Sequence, residues 1–282
     1  MSLRSATYDD RDAVFALGVA EEAAWFGEPE VNATEVGEWI DEEGGVSAGA
    51  VSTGADGRLR GFASPGRSQT ILIADPEQTD AVVDELLPWL QTHGLVKELY
   101  SFGDDAARGA AYERHGLHHH RSAFSLIRLD IAGPLLEAEF PDGVTVAPYH
   151  LGEADEDVHR LMYVDAAWAS VPGHVERDLS SWRDMTNNCS SLFLARDGDR
   201  LVAWTAGRVL ESGRGYITTI AVAQSERGRG LGRAMLLHAF ADLQAAGATD
   251  LTLGVQAQNE SALRLYRSVG LEVEREWRIY AS

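Results

Sequence analysis

The sequence has 282 residues, a formal net charge of −20 and one cysteine, Cys189. This length is enough for two domains of ordinary size, each with its own hydrophobic core. The negative charge disfavours nucleic-acid binding, which depends on clustered lysines and arginines, and suits a cationic small molecule better. The apolar runs are too short to span a membrane, and a lone cysteine cannot form an internal disulfide. Because the first residues lack a secretory-signal pattern, we expect a cytoplasmic protein.

Two tryptophan-containing segments match each other along the chain. Tryptophan, proline, an acidic residue and a second tryptophan occur with the same spacing in two segments. These are AAWFGEPEVNATEVGEW (residues 23–39) and AAWASVPGHVERDLSSW (residues 166–182), and the offset between them is 143. Such self-similarity at a long, fixed offset indicates an internal repeat. The matched tryptophans fit core or inter-domain packing better than a substrate cage, because they recur in both copies.

A second matched pair of segments lies near the end of each copy. AYERHGLHHHR (residues 111–121) and LYRSVGLEVER (residues 265–275) share Tyr, Gly, Leu and Arg at an offset of 154. The larger offset means that the second copy carries extra residues between the two pairs. The sequence therefore predicts a tandem duplication, with domains at 1–130 and 141–282 and a linker within Leu129 to Gly143.

The predicted elements of the second copy alternate between strands and helices. Hydrophobic periodicity and turn residues predict strands at 144–147, 192–196, 201–209, 216–222, 251–255 and 272–281, and helices at 153–168, 176–185, 230–246 and 259–269. This order predicts a mixed α/β fold, with a central sheet covered by helices on both faces. In the first copy, the apolar run at 71–74 leads into its helix directly and skips a glycine–arginine segment that follows Val222 in the second copy.

That segment lies within AVAQSERGRGLGRAMLLHAF, residues 221–240. A strand, a glycine-rich turn and a helix start present unpaired backbone N–H groups and the positive end of a helix dipole to an anion. Three arginines add local positive charge, so the segment is predicted to bind phosphate. Neither the dinucleotide fingerprint nor the P-loop pattern fits it.

Three motifs in order carry a family resemblance. Arg227-x-x-Gly230-x-Gly232 is followed by Asn259 and then by Tyr266-x-x-x-Gly270-Leu271. Together they resemble the GCN5-related N-acetyltransferases (GNAT), over about residues 143–282. Through the repeat, the resemblance extends more weakly to the first half, whose degenerate copy lacks the phosphate segment.

The resemblance implies two tandem GNAT-like domains and acetyl-CoA as co-substrate, with an acetyl group passing directly to the amine of a small molecule. It implies a diphosphate site at the loop, strand-like pairing of the pantetheine arm with the preceding strand, and bonding of the pantetheine amides by Asn259. The cofactor-binding residues it implies are Ile220, Ala221, Val222, Arg227, Gly228, Arg229, Gly230, Leu231, Gly232, Arg233 and Asn259.

Two residues are expected to take part in the chemistry. By resemblance, the Val222 N–H donates to the thioester oxygen, and Tyr266 is the general acid for the departing thiolate. A phenol with a pKa of about 10 lies within about two units of a thiol near 8.5, which makes this transfer feasible. Because Tyr112 holds the matching place in the first copy, the tyrosine also serves packing.

The general base is left open. Family members often carry a glutamate on the strand before the loop, whereas GYITTIAV, residues 215–222, has no carboxylate. Glu211, His174, Glu176, Asp165 and a water chain are the candidates. A substrate amine of low pKa needs no strong base.

Two further readings stand beside N-acetyl transfer, and one of them is transfer to a hydroxyl group at the same site. A non-catalytic sensor or scaffold that binds acetyl-CoA would also explain a missing base. The histidines of HGLHHH, residues 115–120, have no accompanying cysteine or carboxylate spacing, so no metal site is predicted.

Overall fold

The computed structural model describes residues 2–26, 29, 31, 33–40, 49–66, 69–129, 131–171 and 176–282. The chain forms two compact units: unit 1 runs up to Ala123 and includes Glu276–Ser282, and unit 2 is Phe124–Arg275. This division differs from domains at 1–130 and 141–282. The chain enters unit 2 within a strand rather than in the expected linker, and its last seven residues return to unit 1.

Unit 1 begins with a strand and two helices, followed by alternating strands and helices. Its elements are β1 (Ser2–Ser5), α1 (Arg11–Phe26), α2 (Ala33–Ile40), β2 (Ala50–Thr53), β3 (Leu59–Ser64), β4 (Ile71–Ala74), α3 (Thr79–Thr92), β5 (Leu99–Phe102), α4 (Ala106–Arg114) and the first part of β6 (His118–Arg128).

Unit 2 takes the chain from the second part of β6 onward. Its elements are β7 (Val144–Pro148), α5 (Asp155–Arg160), α6 (Leu179–Thr186), β8 (Ser191–Asp197), β9 (Arg200–Val209), β10 (Arg214–Val222), α7 (Leu231–Ala245), β11 (Asp250–Gln256), α8 (Glu260–Ser268) and the first part of β12 (Glu272–Ala281).

The strands of unit 1 leave a gap beside β4. The order β1-β2-β3-β4 is antiparallel throughout, whereas β5 pairs with the end of β12. One parallel bridge joins Gln69 to Glu98 just before β4 and β5, and the two strands then belong to different sheets. We call the space between β4 and β5 the unit 1 gap.

The sheet of unit 2 has the order β6-β11-β10-β9-β8-β7. Helices cover both faces, as the sequence predicts. On one face the apolar stripe of α7, with Leu236, Phe240 and Leu243, packs against Ile217 and its neighbours. The stripe forms because residues at helical spacing share a side. On the other face, a cluster around Trp182 and Trp204 includes residues of α5 and α6.

The predicted elements of unit 2 are found with their ends displaced by a few residues, with one irregular helix. The helix expected over 153–168 is α5 followed by a π-helical turn, Leu161–Asp165, which the Ala166 N–H closes on the Leu161 carbonyl at 2.7 Å. Ala167 then takes a left-handed conformation, with φ of +56°. Such π turns are frequent at functional sites.

None of the helices in the described parts of the chain combines the length and apolar character that crossing a bilayer requires.

Candidate active site

The loop between β10 and α7 is open on the face where a ligand would approach. Gly228 and Gly230 have φ of +81° and +84°, a conformation that residues with a side chain rarely adopt. A Cβ built on either glycine would meet no atom within 4 Å. Backbone groups of this turn are therefore accessible.

The first turn of α7 carries the unpaired donors that the sequence predicts. Ala234 N–H is bonded to the Gly230 carbonyl at 3.0 Å, as helix geometry requires. The preceding N–H groups, those of Gly230, Leu231, Gly232 and Arg233, donate to no atom of the described residues. Four adjacent unpaired donors at a helix N-terminus are the arrangement that can accept an anion.

The three arginines of the loop have different surroundings. Arg227 donates to the Ala166 carbonyl at 2.8 Å, which ties the loop to the end of the π turn. Arg229 donates to Asp197 at 3.2 Å and pairs with Glu226. Arg233 has neither a hydrogen bond nor an ion pair among the residues that the structure describes. Arg233 is therefore the guanidinium free to meet a phosphate.

Glu226 is a structural residue that the sequence reading missed. It is 4% exposed and accepts from Arg200 at 2.5 Å as well as from Arg229. The hydrogen bond from Arg200 holds the pKa of the Glu226 carboxyl below its usual range. The carboxylate thus neutralises part of the charge that the arginine-rich motif indicates.

A gap opens beside β10 where its pairing with β11 ends. The parallel register runs from Arg214 with Asp250 to Ile217 with Leu253, and β10 then continues to Val222 without a partner on that side. We call this space the unit 2 gap.

The outermost residues of β10 point backbone groups into the unit 2 gap. Ala223 N–H donates to the Val202 carbonyl of β9 at 2.9 Å. Because alternate residues of a strand point their backbone groups to opposite edges, the Val222 N–H and the Ile220 carbonyl face away from β9. No side chain of the described residues hydrogen-bonds to either group.

The start of α7, the end of β10 and α8 meet at Gly232. A Cβ on Gly232 would lie 3.4 Å from Leu265 Cδ2 and 3.6 Å from Val222 Cγ2. These are ordinary van der Waals distances, so the start of α7, the end of β10 and α8 pack against one another there.

Asn259 begins α8. Its Oδ1 accepts from the Ala262 N–H at 3.1 Å, the bond of a helix N-cap. Its amide nitrogen donates to no atom of the described part of the chain, and the residue is exposed. The capping bond leaves the NH₂ group as the donor for a ligand.

Tyr266 lies about two turns further along α8 and is 7% exposed, within the apolar cluster under α7. Its hydroxyl has no hydrogen-bond partner among the described residues. Burial raises the pKa of Tyr266 to about 12, so the value near 10 expected from the sequence is too low. The phenol keeps its proton throughout the neutral range.

The structure does not select a general base. Glu211, Glu176 and Asp165 are exposed, and His174 lies outside the described residues. Within the described ranges, no group of three or more His, Cys, Asp and Glu side chains is placed to hold a metal ion.

Comparison with known proteins identifies the fold and the motif set. The family model described as Acetyltransferase (GNAT) family matches residues 157–271, which include the loop, Asn259 and Tyr266. A mycothiol acetyltransferase of Segniliparus rotundus is 30% identical over 187 residues, covering 62% of this chain and 69% of that protein. The chain belongs to the GNAT acetyltransferase family.

Solved structures show the same architecture. A GCN5-related N-acetyltransferase from Sphaerobacter thermophilus superimposes with a TM-score of 0.79 at 20% identity, over 99% of this chain and 94% of that one. A tandem GNAT protein from the clavulanic acid biosynthesis pathway gives 0.71 at 15% identity, over 99% and 98%. The fold is a tandem GNAT fold. The chain spans 56% and 66% of the lengths of two further relatives named mycothiol acetyltransferase.

Proposed function

We propose that the second copy, residues 141–282, is an acetyl-CoA-dependent N-acetyltransferase that acts on the amine of a small molecule, and that the first copy, residues 1–130, carries no cofactor site. The observation that carries this proposal is the set of four unpaired N–H groups at the start of α7, next to the unit 2 gap. An anion site beside a free strand edge suits a long ligand with a diphosphate at one end.

The described residues fit acetyl-CoA, which when bound supplies an acetyl group activated as a thioester. The N–H groups of Gly230 to Arg233 hold the diphosphate, and the Arg233 guanidinium adds a charge-assisted bond. The Ile220 carbonyl and the Val222 N–H bond the pantetheine arm as an added strand would. The Asn259 NH₂ donates to a pantetheine amide.

Val222 and Tyr266 then assist the transfer. The Val222 N–H donates to the carbonyl oxygen as negative charge develops there, in a site where little water competes. As the C–N bond forms and the C–S bond breaks, the acceptor nitrogen releases a proton to water, and the sulfur leaves as a thiolate that takes its proton from water. The Tyr266 hydroxyl, which hydrogen-bonds to no atom of the described residues, donates a hydrogen bond to that sulfur as it departs.

The pKa of Tyr266 sets how it acts. A phenol at about 12 lies about 3.5 units above a thiol near 8.5, so complete transfer from it costs about 5 kcal/mol. Tyr266 therefore stabilises the departing sulfur chiefly as a hydrogen-bond donor. With no carboxylate on β10, the acceptor amine arrives uncharged, and turnover is expected to rise with pH through the pKa of that amine.

The relatives' name suggests the acceptor to test first. Mycothiol acetyltransferases are among the curated relatives that match, at 26–30% identity, so desacetylated mycothiol heads a panel with polyamines, amino acids, aminoglycosides and peptide N-termini. The assay incubates the chain with acetyl-CoA and each amine and measures released coenzyme A by chromatography, because mycothiol itself carries a thiol. Release of coenzyme A with one amine is expected. Tight binding of acetyl-CoA without release for any amine would favour the sensor reading.

A further inference from the structure

The hairpins beside the two gaps are equivalent residue by residue. In unit 1 the Asp75 N–H donates to the Arg60 carbonyl at 2.8 Å, and in unit 2 the Ala223 N–H donates to the Val202 carbonyl at 2.9 Å. In each hairpin this carbonyl belongs to the extra residue of a β-bulge. Superposing the bulges aligns each residue of β4 with the residue of β10 that lies 148 positions later.

This equivalence assigns counterparts to the two groups that face the unit 2 gap. Ala74 N–H corresponds to Val222 N–H, and the Leu72 carbonyl corresponds to that of Ile220. In unit 1 both groups are already bonded. Ala74 N–H donates to Glu21 Oε1 at 2.9 Å, and Arg108 Nη1 donates to the Leu72 carbonyl at 2.9 Å. Glu21 and Arg108 also pair with each other.

The helix that supplies Arg108 matches α8. Asp105 caps α4 by accepting from the Arg108 N–H at 2.9 Å, as Asn259 caps α8 by accepting from the Ala262 N–H at 3.1 Å. Arg108 thus takes the place of Ala262. Its Nε donates to Asp105 at 3.0 Å, which holds the guanidinium over the unit 1 gap.

The three charged side chains are enclosed in unit 1. Arg108 is 2% exposed, Asp105 3% and Glu21 5%. Burying charges is costly unless each is paired and hydrogen-bonded, and here the network satisfies that condition. The arrangement therefore fills the gap stably.

The connection at the other end of the unit 1 gap is shorter than its counterpart in unit 2. Four residues, 75–78, connect β4 to α3, against eight, 223–230, between β10 and α7. Within this connection Asp75 Oδ1 accepts from the Glu77 N–H at 3.1 Å, and Oδ2 accepts from the Gln78 side-chain amide. Unit 1 therefore has no counterpart of the eight-residue glycine–arginine turn on which the proposed diphosphate site depends.

We infer that the unit 1 gap is permanently occupied by the Glu21–Arg108 pair, which takes the positions of the thioester oxygen and a pantetheine amide in the unit 2 gap. Unit 1 is thus a GNAT fold whose ligand positions are filled by its own side chains, and it binds no acyl-CoA. The correspondence with the cofactor rests on the proposed function of unit 2.

Two measurements test this inference. The first is calorimetric titration of the natural chain with coenzyme A. One site per chain is expected, and two sites would overturn the inference. No binding at all would overturn the proposed function instead.

The second measurement needs no coenzyme A. Arg108→Ala removes the guanidinium and leaves Glu21 buried and unpaired, which is expected to lower the Tm by about 10 °C. Methylguanidinium at about 10 mM should refill the space and restore at least about 2 °C by mass action. The natural chain and Arg58→Ala, whose side chain is 81% exposed, are the controls and should show no gain.

A folded Arg108→Ala chain without rescue would overturn the occupant claim. If that variant does not fold, the titration of the natural chain decides the inference by itself.

Discussion

Tyr266 and Tyr112 hold the same position in the two copies and are both buried, so packing explains why the aromatic side chain recurs. Burial raises the pKa of each hydroxyl to about 12. Their hydrogen bonds differ, because Tyr112 donates to the Tyr100 carbonyl at 3.2 Å while Tyr266 bonds to no atom of the described residues. The free hydroxyl therefore marks the copy that is available for catalysis.

Replacing the two tyrosines separates catalysis from packing. Tyr266→Phe should lower kcat about 100-fold through loss of the donor to the departing sulfur, with the Kd for acetyl-CoA changed less than about threefold. Tyr112→Phe is the matched control and should leave kcat unchanged. Steady-state kinetics and calorimetry measure both, and an active Tyr266→Phe enzyme would refute the assigned role.

The raised pKa of Tyr266 also predicts how stability depends on pH. The folded value near 12 lies above the unfolded value near 10, so its contribution is full below pH 10 and is lost as pH rises towards 12. Between pH 9 and 12, the natural chain should lose about 2 kcal/mol more than Tyr266→Phe. Urea titrations at several pH values measure this difference, and parallel curves would contradict the burial argument.

The loop arginines are expected to divide into a ligand-binding and a structural residue. Arg233→Ala should weaken coenzyme A binding about tenfold, by loss of a charge-assisted bond, with Tm nearly unchanged. Arg229→Ala should instead lower Tm, because Glu226 loses one of its two partners. Calorimetry and thermal melts compare the two variants, and the reverse pattern would show that the assignment is wrong.

At the scale of elements, the loop and the strand edge beside it make the site. The turn is open because Gly228 and Gly230 carry no side chain, and the strand edge is free because β11 pairs with β10 only as far as Leu253. Neither feature alone fits a ligand with a diphosphate and a long arm. Their contact at Gly232 joins the two features.

A glycine at each end of α7 offers a matched pair of substitutions. Gly230 has φ of +84° and Gly247 has φ of +96°, and a Cβ on either would meet no atom within 4 Å. Alanine at either should cost about 1–2 kcal/mol of stability from backbone strain. Gly230→Ala alone should raise the Kd for coenzyme A, by at least about tenfold, because relief of the backbone strain at that residue would shift the N–H groups proposed to bond the diphosphate.

Equilibrium unfolding and calorimetry on both variants check this pair. Equal weakening of coenzyme A binding by Gly247→Ala would point to a general loss of helix order rather than to a site at Gly230.

Local pattern was enough to predict the elements of unit 2 and the glycine-rich turn between β10 and α7, because strand alternation and such turns depend on neighbouring residues. Local pattern did not predict the contacts between residues that are distant in the sequence. Nothing around Arg229 in sequence shows that Glu226 is buried and shared with Arg200. Likewise, only the hydrogen bonds of β4 to β3 and of β10 to β9 show which residue of β4 corresponds to which residue of β10.

At the scale of the molecule, the two sequence copies and the two compact units do not have the same boundaries. The repeat predicts two copies, but strand partners decide where each compact unit ends. Strand β12 pairs with β5 through Trp277 and Phe102, which places the last residues in unit 1 although they belong to the second copy by sequence. Sequence periodicity predicts that β12 is a strand and cannot say which strand it joins.

The two copies keep the same strand edge and use it differently. In unit 1 the edge of β4 is hydrogen-bonded to a carboxylate and a guanidinium of the chain itself. In unit 2 the Val222 N–H and the Ile220 carbonyl hydrogen-bond to no side chain of the described residues. The loss of the loop and the gain of the ion pair both favour one acyl-CoA site per chain.

The most direct test of the central claim is a crystal structure of the chain grown with coenzyme A. The account predicts diphosphate oxygens within hydrogen-bond distance of the N–H groups of Gly230 to Arg233, the thiol beside the Tyr266 hydroxyl, and the Glu21–Arg108 pair undisturbed in unit 1. Coenzyme A bound between β4 and β5, or an empty α7 loop at saturating ligand, would contradict it.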